Sequence, residues 1–551
     1  MHAAPLAETR SCNIASHLPA MARLQPHRRA VVVPAGRDPQ GRVTWAHLTF
    51  AQLDARSDAF ARGLRRAGIA RGTRTVLLVK PSLDFFALTF ALFKLGAVIV
   101  LIDPGIGRKA LLGCLDEVEP EAFIGVPAAH VARLLFPRPF RKVRTLVTVG
   151  RRFWGGHTLE ELLDPGPFEM EPTAPDEVAA ILFTSGSTGI PKGAIYTHGI
   201  FDAQVRLIRS LYGIEPGEID LATFPLFALF DPALGMTSII PDMDARFPAR
   251  ADPVKLLEAI EDHGVTNMFG SPALLDRLSR HCVANGVRLP SLRRILSAGA
   301  PVRRDILART ASLLEKPAQV HTPFGATESL PVCSIGSDEV LGGTAAGTDA
   351  GLGICVGRPA PEMTVRIIRI TDEPIERWSD DLLVPRGTVG EITVRGPVVT
   401  PGYWAREAQT RAAKIRDGEA IVHRMGDLGW QDEQGRIWMC GRKSHRVETA
   451  EGPIYPVMAE EICNAHPRVL RTALVGVGPR GAQEAVLFIE PEPGASTAGL
   501  VEEVRAMAAA HEASARIRHF FLHEGSFPVD VRHNAKIDRE KLVPLAARRI
   551  G

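Results

Sequence analysis

Between Leu53 and Asp103 the chain passes twice from helical spacing to a short, β-branched apolar run, and this alternation narrows the possible folds most. Leu53 to Ala67 carries apolar residues at helical spacing and stops at Gly68, after which Thr75-Val-Leu-Leu-Val79 reads as a buried strand. A second helix through Leu92 leads into a strand at Val98 that halts at Asp103-Pro104-Gly105. Val178 to Phe183, Ile295 to Ser297 and Val320 to Pro323 are further buried-strand candidates. Helices alternating with wholly apolar strands predict largely parallel sheets covered by helices, an α/β fold. The stretch Phe85 to Asp103 is apolar enough to be tested as a membrane span. Lys94 and Gly96 interrupt it, and a buried helix entering a buried strand accounts for it better than ~20 continuous apolar residues.

A chain of 551 residues exceeds one hydrophobic core. From Gly390 the texture changes to short alternating strands, Glu391 to Arg395 and Arg436 to Cys440. The expected division is a large N-terminal domain of βαβ-type sheets over 1–440, a hinge at 441–444, and a small mobile α+β domain over 445–551. The 65 cationic and 62 anionic side chains are spread along the whole length, which argues against a nucleic-acid partner. Seven scattered cysteines form no C-x-x-C pair, and residues 1–30 lack the apolar core of a signal peptide. The expectation is a cytoplasmic protein with no integral membrane segment.

The most informative segment is Ile181-Leu-Phe-Thr-Ser-Gly-Ser-Thr-Gly-Ile-Pro-Lys-Gly193. An apolar strand ends in hydroxyls and glycines, then Pro191 and Lys192. Small residues let backbone N–H groups approach a phosphate, hydroxyls add donors and the lysine adds charge. Pro191 stands where a Walker A loop needs glycine, so this is a different phosphate loop. Cation usage supports the reading. The chain has 11 lysines against 54 arginines, and Lys192 is the only lysine between Lys142 and Lys255. A lysine kept where arginine is the habit suits a site that wants a compact ammonium.

This loop resembles the signature loop of the adenylate-forming superfamily, which contains acyl-CoA synthetases, peptide-synthetase adenylation domains and beetle luciferases. The superfamily's other motifs follow in order along nearly the whole chain, and its opening is similar too (Leu48-Thr-Phe-Ala-Gln-Leu53, Gly72, Lys94-Leu-Gly-Ala97, Asp103-Pro104). The resemblance implies ATP and Mg²⁺, with Thr184, Ser185, Gly186, Ser187, Thr188, Gly189 and Lys192 around the phosphates. Ser297-Ala-Gly-Ala-Pro301 looks like the segment lining the adenine and acyl pockets, which implicates Gly299, Ala300 and Pro301. Phe324-Gly-Ala-Thr-Glu328 resembles the aromatic-Gly-x-Thr-Glu motif. It casts Phe324 as an adenine stack, Gly325, Ala326 and Thr327 as the nucleotide wall, and Glu328 as the Mg²⁺ ligand. Arg424-Met-Gly-Asp-Leu-Gly429 is similar to the ribose motif, with Asp427 on the hydroxyls in a Gly-rich turn and Arg442 nearby at the hinge. Lys536, the only lysine between Lys443 and Lys541, stands in the segment that resembles the C-terminal loop of the catalytic lysine. Catalysis is thus expected of Lys536, Glu328, Thr184 and Lys192.

Four positions depart from the superfamily's pattern. Phe324 replaces the commoner tyrosine, Ser444 the usual Asp or Lys of the hinge, and Ala535 the usual glycine before the lysine. Ala228, in Pro225-Leu-Phe-Ala-Leu-Phe230, stands where a histidine is common. The segment Arg446-Val-Glu-Thr-Ala-Glu-Gly452 also differs from the Lys-x-x-Gly segment that closes around CoA in thioester-forming members. The last two departures point away from CoA, and the whole chain looks most like the β-lactone synthetases of bacterial long-chain olefin biosynthesis. That resemblance implies a long-chain 2-alkyl-3-hydroxy acid whose own hydroxyl is the second nucleophile, with other enzymes of an olefin pathway as partners. A long-chain acyl-CoA ligase is the alternative enzyme. A non-catalytic acyl- or nucleotide-binding relative is the alternative from another class, and it would have no need of Lys536.

Overall fold

The computed structural model describes residues 11–184, 191–529 and 537–551. Two large sheets with helices on their faces carry the site. The first runs, in spatial order, His157–Thr158, Thr145–Thr148, Ala122–Gly125, Arg74–Leu78, Val98–Ile102, Val178–Thr184 and Lys192–Thr197. Its neighbours are parallel except for the last pair, which is antiparallel. The helix Phe50–Arg66 opens on a capping box in which Thr49 and Gln52 each accept the other's backbone N–H, and it packs on the helix Leu83–Lys94. Lys94, which interrupts the apolar run, is buried with its ammonium donating to Asp54 and Asp58 at 2.5 Å each. A cation so paired is tolerated inside a core. Among the described residues no helix is long and apolar enough to cross a membrane.

The second sheet has fourteen strands among the described residues. Thr237–Ile239, Ile219–Ala222, Asn267–Phe269, Arg294–Leu296 and Gln319–Ala326 are parallel neighbours. The sheet then turns antiparallel at Ser329–Gly336. It continues through Ile354–Pro359, Ile437–Arg442, Ala420–Gln431 and Gly390–Arg395 to Thr364–Ile368. One apolar cluster joins the two sheets, with Ile99, Ala180 and Ala194 from the first and Val31, Ala222 and Ile240 from beside or within the second.

The chain leaves the large sheet at Arg442. Beyond it, Val469–Val477, Glu484–Pro491 and His519–Leu522 form a separate three-stranded sheet, flanked by the helices Pro456–Asn464, Leu500–Ala509 and Arg539–Ile550. Leu474, Leu487, Ile489 and Val504 give this small C-terminal unit its own core. Ion pairs tie it to the large unit. Arg303 donates to the Leu470 carbonyl and to Glu492 at 2.9 Å each, and Asp372 accepts from Arg446 at 2.9 Å and Arg480 at 2.8 Å.

Candidate active site

A single cavity of about 2760 Å³ runs from between the two sheets to the segment after Arg442. Lys192, Gly299, Ala300, Pro301, Phe324, Gly325, Ala326, Thr327, Glu328, Asp427 and Arg442 all line it. The fold therefore gathers residues separated by up to 250 positions in sequence (Lys192 to Arg442) into one cleft.

Thr184 closes its strand, and its backbone is the register partner of Lys192, so the phosphate-loop segment leaves and re-enters the sheet at one point. Ser185, Gly186, Ser187, Thr188 and Gly189 lie outside the described residues, as does Lys536. The Lys192 ammonium sits 5.2 Å from the centroid of the Tyr403 ring, within cation–π range. The strand Arg294–Leu296 runs into Ser297–Pro301, where Gly299 takes φ 96°, a left-handed conformation that favours glycine.

Phe324 to Glu328 forms a hairpin, with Ala326 paired to Ser329. A Cβ at Gly325 would lie 2.7 Å from the Leu330 side chain and 2.8 Å from the Ser329 carbonyl, so only glycine fits this close pass. Glu328 is fixed from three directions. Its carbonyl accepts from Thr400 N at 2.9 Å and from the Thr400 hydroxyl at 3.1 Å, and its Oε1 accepts from the Tyr403 hydroxyl at 2.5 Å. Burial, then the Glu328 charge, pushes the Tyr403 phenol well above its usual range, so it remains a donor. The Tyr196 hydroxyl donates to the Thr327 carbonyl at 2.5 Å.

A buried lysine backs this arrangement. The Lys414 ammonium donates to the Thr400 hydroxyl at 3.1 Å, and burial pushes its pKa down to about 7 against the opposing pull of Glu328. Across the strand pair from Lys414 lies His423, whose Nδ1–H donates to the Ala413 carbonyl at 3.1 Å. Burial, followed by the charges of Lys414, Lys192 and Arg442, holds His423 well below the usual imidazole range, so it is neutral. None of Tyr403, Thr400, Lys414 and His423 is in the set expected from sequence. Lys414 carried a signal, being the only lysine between Lys316 and Lys443 in an arginine-rich chain.

Asp427 corrects one expectation. It lies inside the long strand Ala420–Gln431, not in a turn. Gly426 takes φ 68° and the ladder shifts register at Leu428/Gly429, so a glycine-rich stretch that reads as a turn is a kinked strand. Asp427 is buried opposite Arg442 in the ladder, with Arg442 Nε 3.2 Å from its Oδ1.

The donor set suits ATP with Mg²⁺. Among the described residues no three His, Cys, Asp or Glu side chains cluster as a metal cage. A lone carboxylate with hard oxygens, one of them already tied by Tyr403, is what Mg²⁺ uses when the substrate's phosphates supply its other ligands. Ala228 is buried in the short helix Pro225–Ala228. Its neighbour Phe227 stacks on Phe269 at 4.4 Å, so the wall here is apolar. Arg446, which opens the segment expected near CoA in thioester-forming enzymes, is engaged instead by Asp372 and, at 2.7 Å, Glu448.

Residues 18–404 match the family model described as AMP-binding enzyme. The olefin β-lactone synthetase of Xanthomonas campestris pv. campestris is 51% identical over 98% of each chain. That of Stenotrophomonas maltophilia is 53% identical over the same shares. An amide bond synthetase from Marinactinospora thermotolerans has the same fold, with a TM-score of 0.79 at 23% identity, 97% of this chain and 99% of that one being covered. The chain belongs to the AMP-binding enzyme family and, within it, groups over almost its full length with proteins named olefin β-lactone synthetase.

Proposed function

We propose that this AMP-forming synthetase uses ATP and Mg²⁺ to convert a long-chain 2-alkyl-3-hydroxy acid into a β-lactone, AMP and pyrophosphate. The observation that carries the reading is identity of 51% and 53%, over 98% of each chain, to two olefin β-lactone synthetases. In the first step a carboxylate oxygen attacks the α-phosphorus of ATP. The acyl–O–P bond forms as the bond to the β-phosphate oxygen breaks and pyrophosphate leaves. In the second, the 3-hydroxyl oxygen attacks the acyl carbonyl and closes the four-membered ring. The acyl–O–P bond breaks, AMP leaves with the electron pair, and the hydroxyl proton passes to solvent.

The first step brings two anions together, so the protein's task is positioning and charge neutralisation. Lys192 and Lys536 would supply cations to the phosphates, and the backbone from Thr184 to Gly189 would cradle them. Glu328 would hold Mg²⁺, which neutralises triphosphate charge. Asp427 would accept from the ribose hydroxyls, oriented by Arg442, while Phe324 would stack on adenine against the small residues Gly299 to Pro301 and Gly325 to Thr327. We take 441–444 as the pivot on which residues 445–551 deliver Lys536. The second step needs no additional substrate, in keeping with the apolar wall at Phe227 and Phe269 and the engaged Arg446.

The test is product analysis by NMR under mild conditions. A long-chain 2-alkyl-3-hydroxy acid and its 3-deoxy analogue are each incubated with ATP and Mg²⁺, with and without CoA. The β-lactone should form without CoA, and the deoxy acid should stop at acyl-AMP. A thioester as main product, or no turnover until CoA is added, assigns the enzyme to the acyl-CoA ligases instead.

A further inference from the structure

The helix Pro127–Leu135 is oriented against expectation. A helix on the face of a sheet turns its apolar stripe inward, yet His130 is the only fully buried residue of its nine. Ala128, Val131, Ala132 and Leu135, at the i, i+3, i+4, i+7 spacing of one helical face, are all exposed, Leu135 by 68%, and Leu134 beside them is 54% exposed. Phe153, 80% exposed, extends this surface. Its ring lies 6.2 Å from Trp154, which stacks on His130 at 4.9 Å.

Charge is gathered around the same patch. Residues 108–156 contain nine Lys and Arg against four Asp and Glu, a net +5, while the whole chain is only +3. The bias is too dilute along the chain to read as a basic block, and Glu161, beyond the segment, offsets Arg152. Arg108 lies 5.5 Å over the ring of Phe136 at the end of the helix. Arg138, Arg141, Lys142 and Arg152 find carboxylates, whereas Arg108, Lys109, Arg133 and Arg151 have none within ion-pair distance among the described residues.

The cavity reaches this face. Ala128 and Ala132 are exposed and also line the cavity, together with Ala129, Phe140 and, from the helix Arg108–Val118, Leu111 and Leu112. The cleft between these two helices is therefore a mouth of the cavity, and the apolar stripe lies at its rim.

We propose that this face docks on an anionic lipid surface. Val131, Leu134, Leu135 and Phe153 enter the headgroup boundary, the surrounding Arg and Lys meet lipid phosphates, and the long-chain acid passes between the two helices into the cavity. An exposed apolar stripe flanked by cations is the pattern of an interfacial helix. A second copy of the chain fits poorly, because a symmetric pair would set one net-basic segment against another. The identity of the passenger rests on the proposed function; the docking does not.

The experiment is co-sedimentation of the full-length enzyme with vesicles of phosphatidylcholine alone or mixed equally with phosphatidylglycerol, at about 0.05 and about 0.5 M salt. Binding should be at least about tenfold stronger to the anionic vesicles and should fall with salt. Leu134→Glu/Leu135→Glu should abolish it and slow turnover of vesicle-embedded long-chain acid about tenfold or more, while a short, water-soluble hydroxy acid reacts at the wild-type rate. Arg133→Gln/Arg151→Gln should weaken binding to anionic vesicles with the apolar stripe intact. Absence of binding, or binding that neither variant changes, overturns the proposal. So does a Leu variant that alters oligomeric state in gel filtration without altering sedimentation, which would assign the face to a protein partner. Salt-sensitive binding without lactone from any acid would leave the surface standing and remove the proposed reaction.

Discussion

Glu328 is held by groups drawn from only four consecutive positions, Thr400 N and Oγ1 and the Tyr403 hydroxyl. Lys414 then pins Thr400 from behind. Thr400 holds the Glu328 backbone and Tyr403 its carboxylate, and if that carboxylate takes Mg²⁺ as proposed, removal of such an outer partner typically costs about 10–100-fold in metal affinity. Tyr403→Phe should therefore raise the Mg²⁺ concentration needed for half-maximal pyrophosphate release by about tenfold or more. Its melting temperature should hardly move, because the ring and its packing remain. The measurement is pyrophosphate release across a Mg²⁺ titration, and an unchanged midpoint would contradict the role given to Tyr403. Lys414 and Tyr403 escaped the sequence reading because neither stands in a phosphate-, adenine- or ribose-like motif. Their importance comes from the partners the fold supplies.

At the scale of elements, the helix His198–Tyr212 begins on a residue that joins three parts of the fold. The His198 Nδ1 accepts the backbone N–H of Ile14 at 3.2 Å, and Phe93 lies against its ring. Burial pushes the His198 pKa down to about 4, and the accepting Nδ1 requires the neutral ring. The unfolded chain therefore takes up a proton near pH 6.5 that the folded chain refuses until about pH 4. Stability from this group is complete above pH 6.5 and is lost as pH falls through that window, by an amount of order 1–3 kcal/mol. His198→Asn keeps an acceptor for Ile14 without a titrating ring. Thermal unfolding between pH 7 and about pH 4.5 should show a shallower decline for the variant than for the wild type. Parallel curves would exclude His198 from the acid sensitivity.

At the scale of the whole molecule, the proposed reaction would divide its chemistry between the large unit and the C-terminal one. Besides the packing of the helix Pro456–Asn464 on the strand Ile437–Arg442, Arg303 and Asp372 tie the two together through ion pairs in which the Arg446 side chain is buried and the other side chains are partly exposed. The more exposed pairs, Arg303–Glu492 and Arg480–Asp372, contribute about 0–1 kcal/mol each. If Lys536 is brought to the phosphates for adenylation, Lys536→Ala should cut pyrophosphate release by several orders of magnitude while changing ATP affinity by calorimetry only a few-fold. Pyrophosphate release near the wild-type rate would remove Lys536 from the first step.

The local elements were legible because their signals are local. The helix read from Leu53 to Ala67 is Phe50–Arg66, the strand read from Val178 to Phe183 is Val178–Thr184, and the strand read at Ile295 is Arg294–Leu296. Apolar period, a cap and a stop glycine belong to neighbouring residues, and no distant contact overrode them. The turn expected at Asp427 is a kinked strand, since a glycine pair marks a turn and a kinked strand alike until the ladder partner Arg442 is known. By itself, then, the sequence determined the α/β class, the strand-borne motifs and many of the residue types that line the cavity. Only the tertiary structure decided that Tyr403 and Lys414 stand behind Glu328, that Lys94 is paired, and that the apolar side of Pro127–Leu135 faces outward beside a cavity mouth. The reason is physical: periodicity says which residues share a face, but which face is buried depends on what long-range packing places against it.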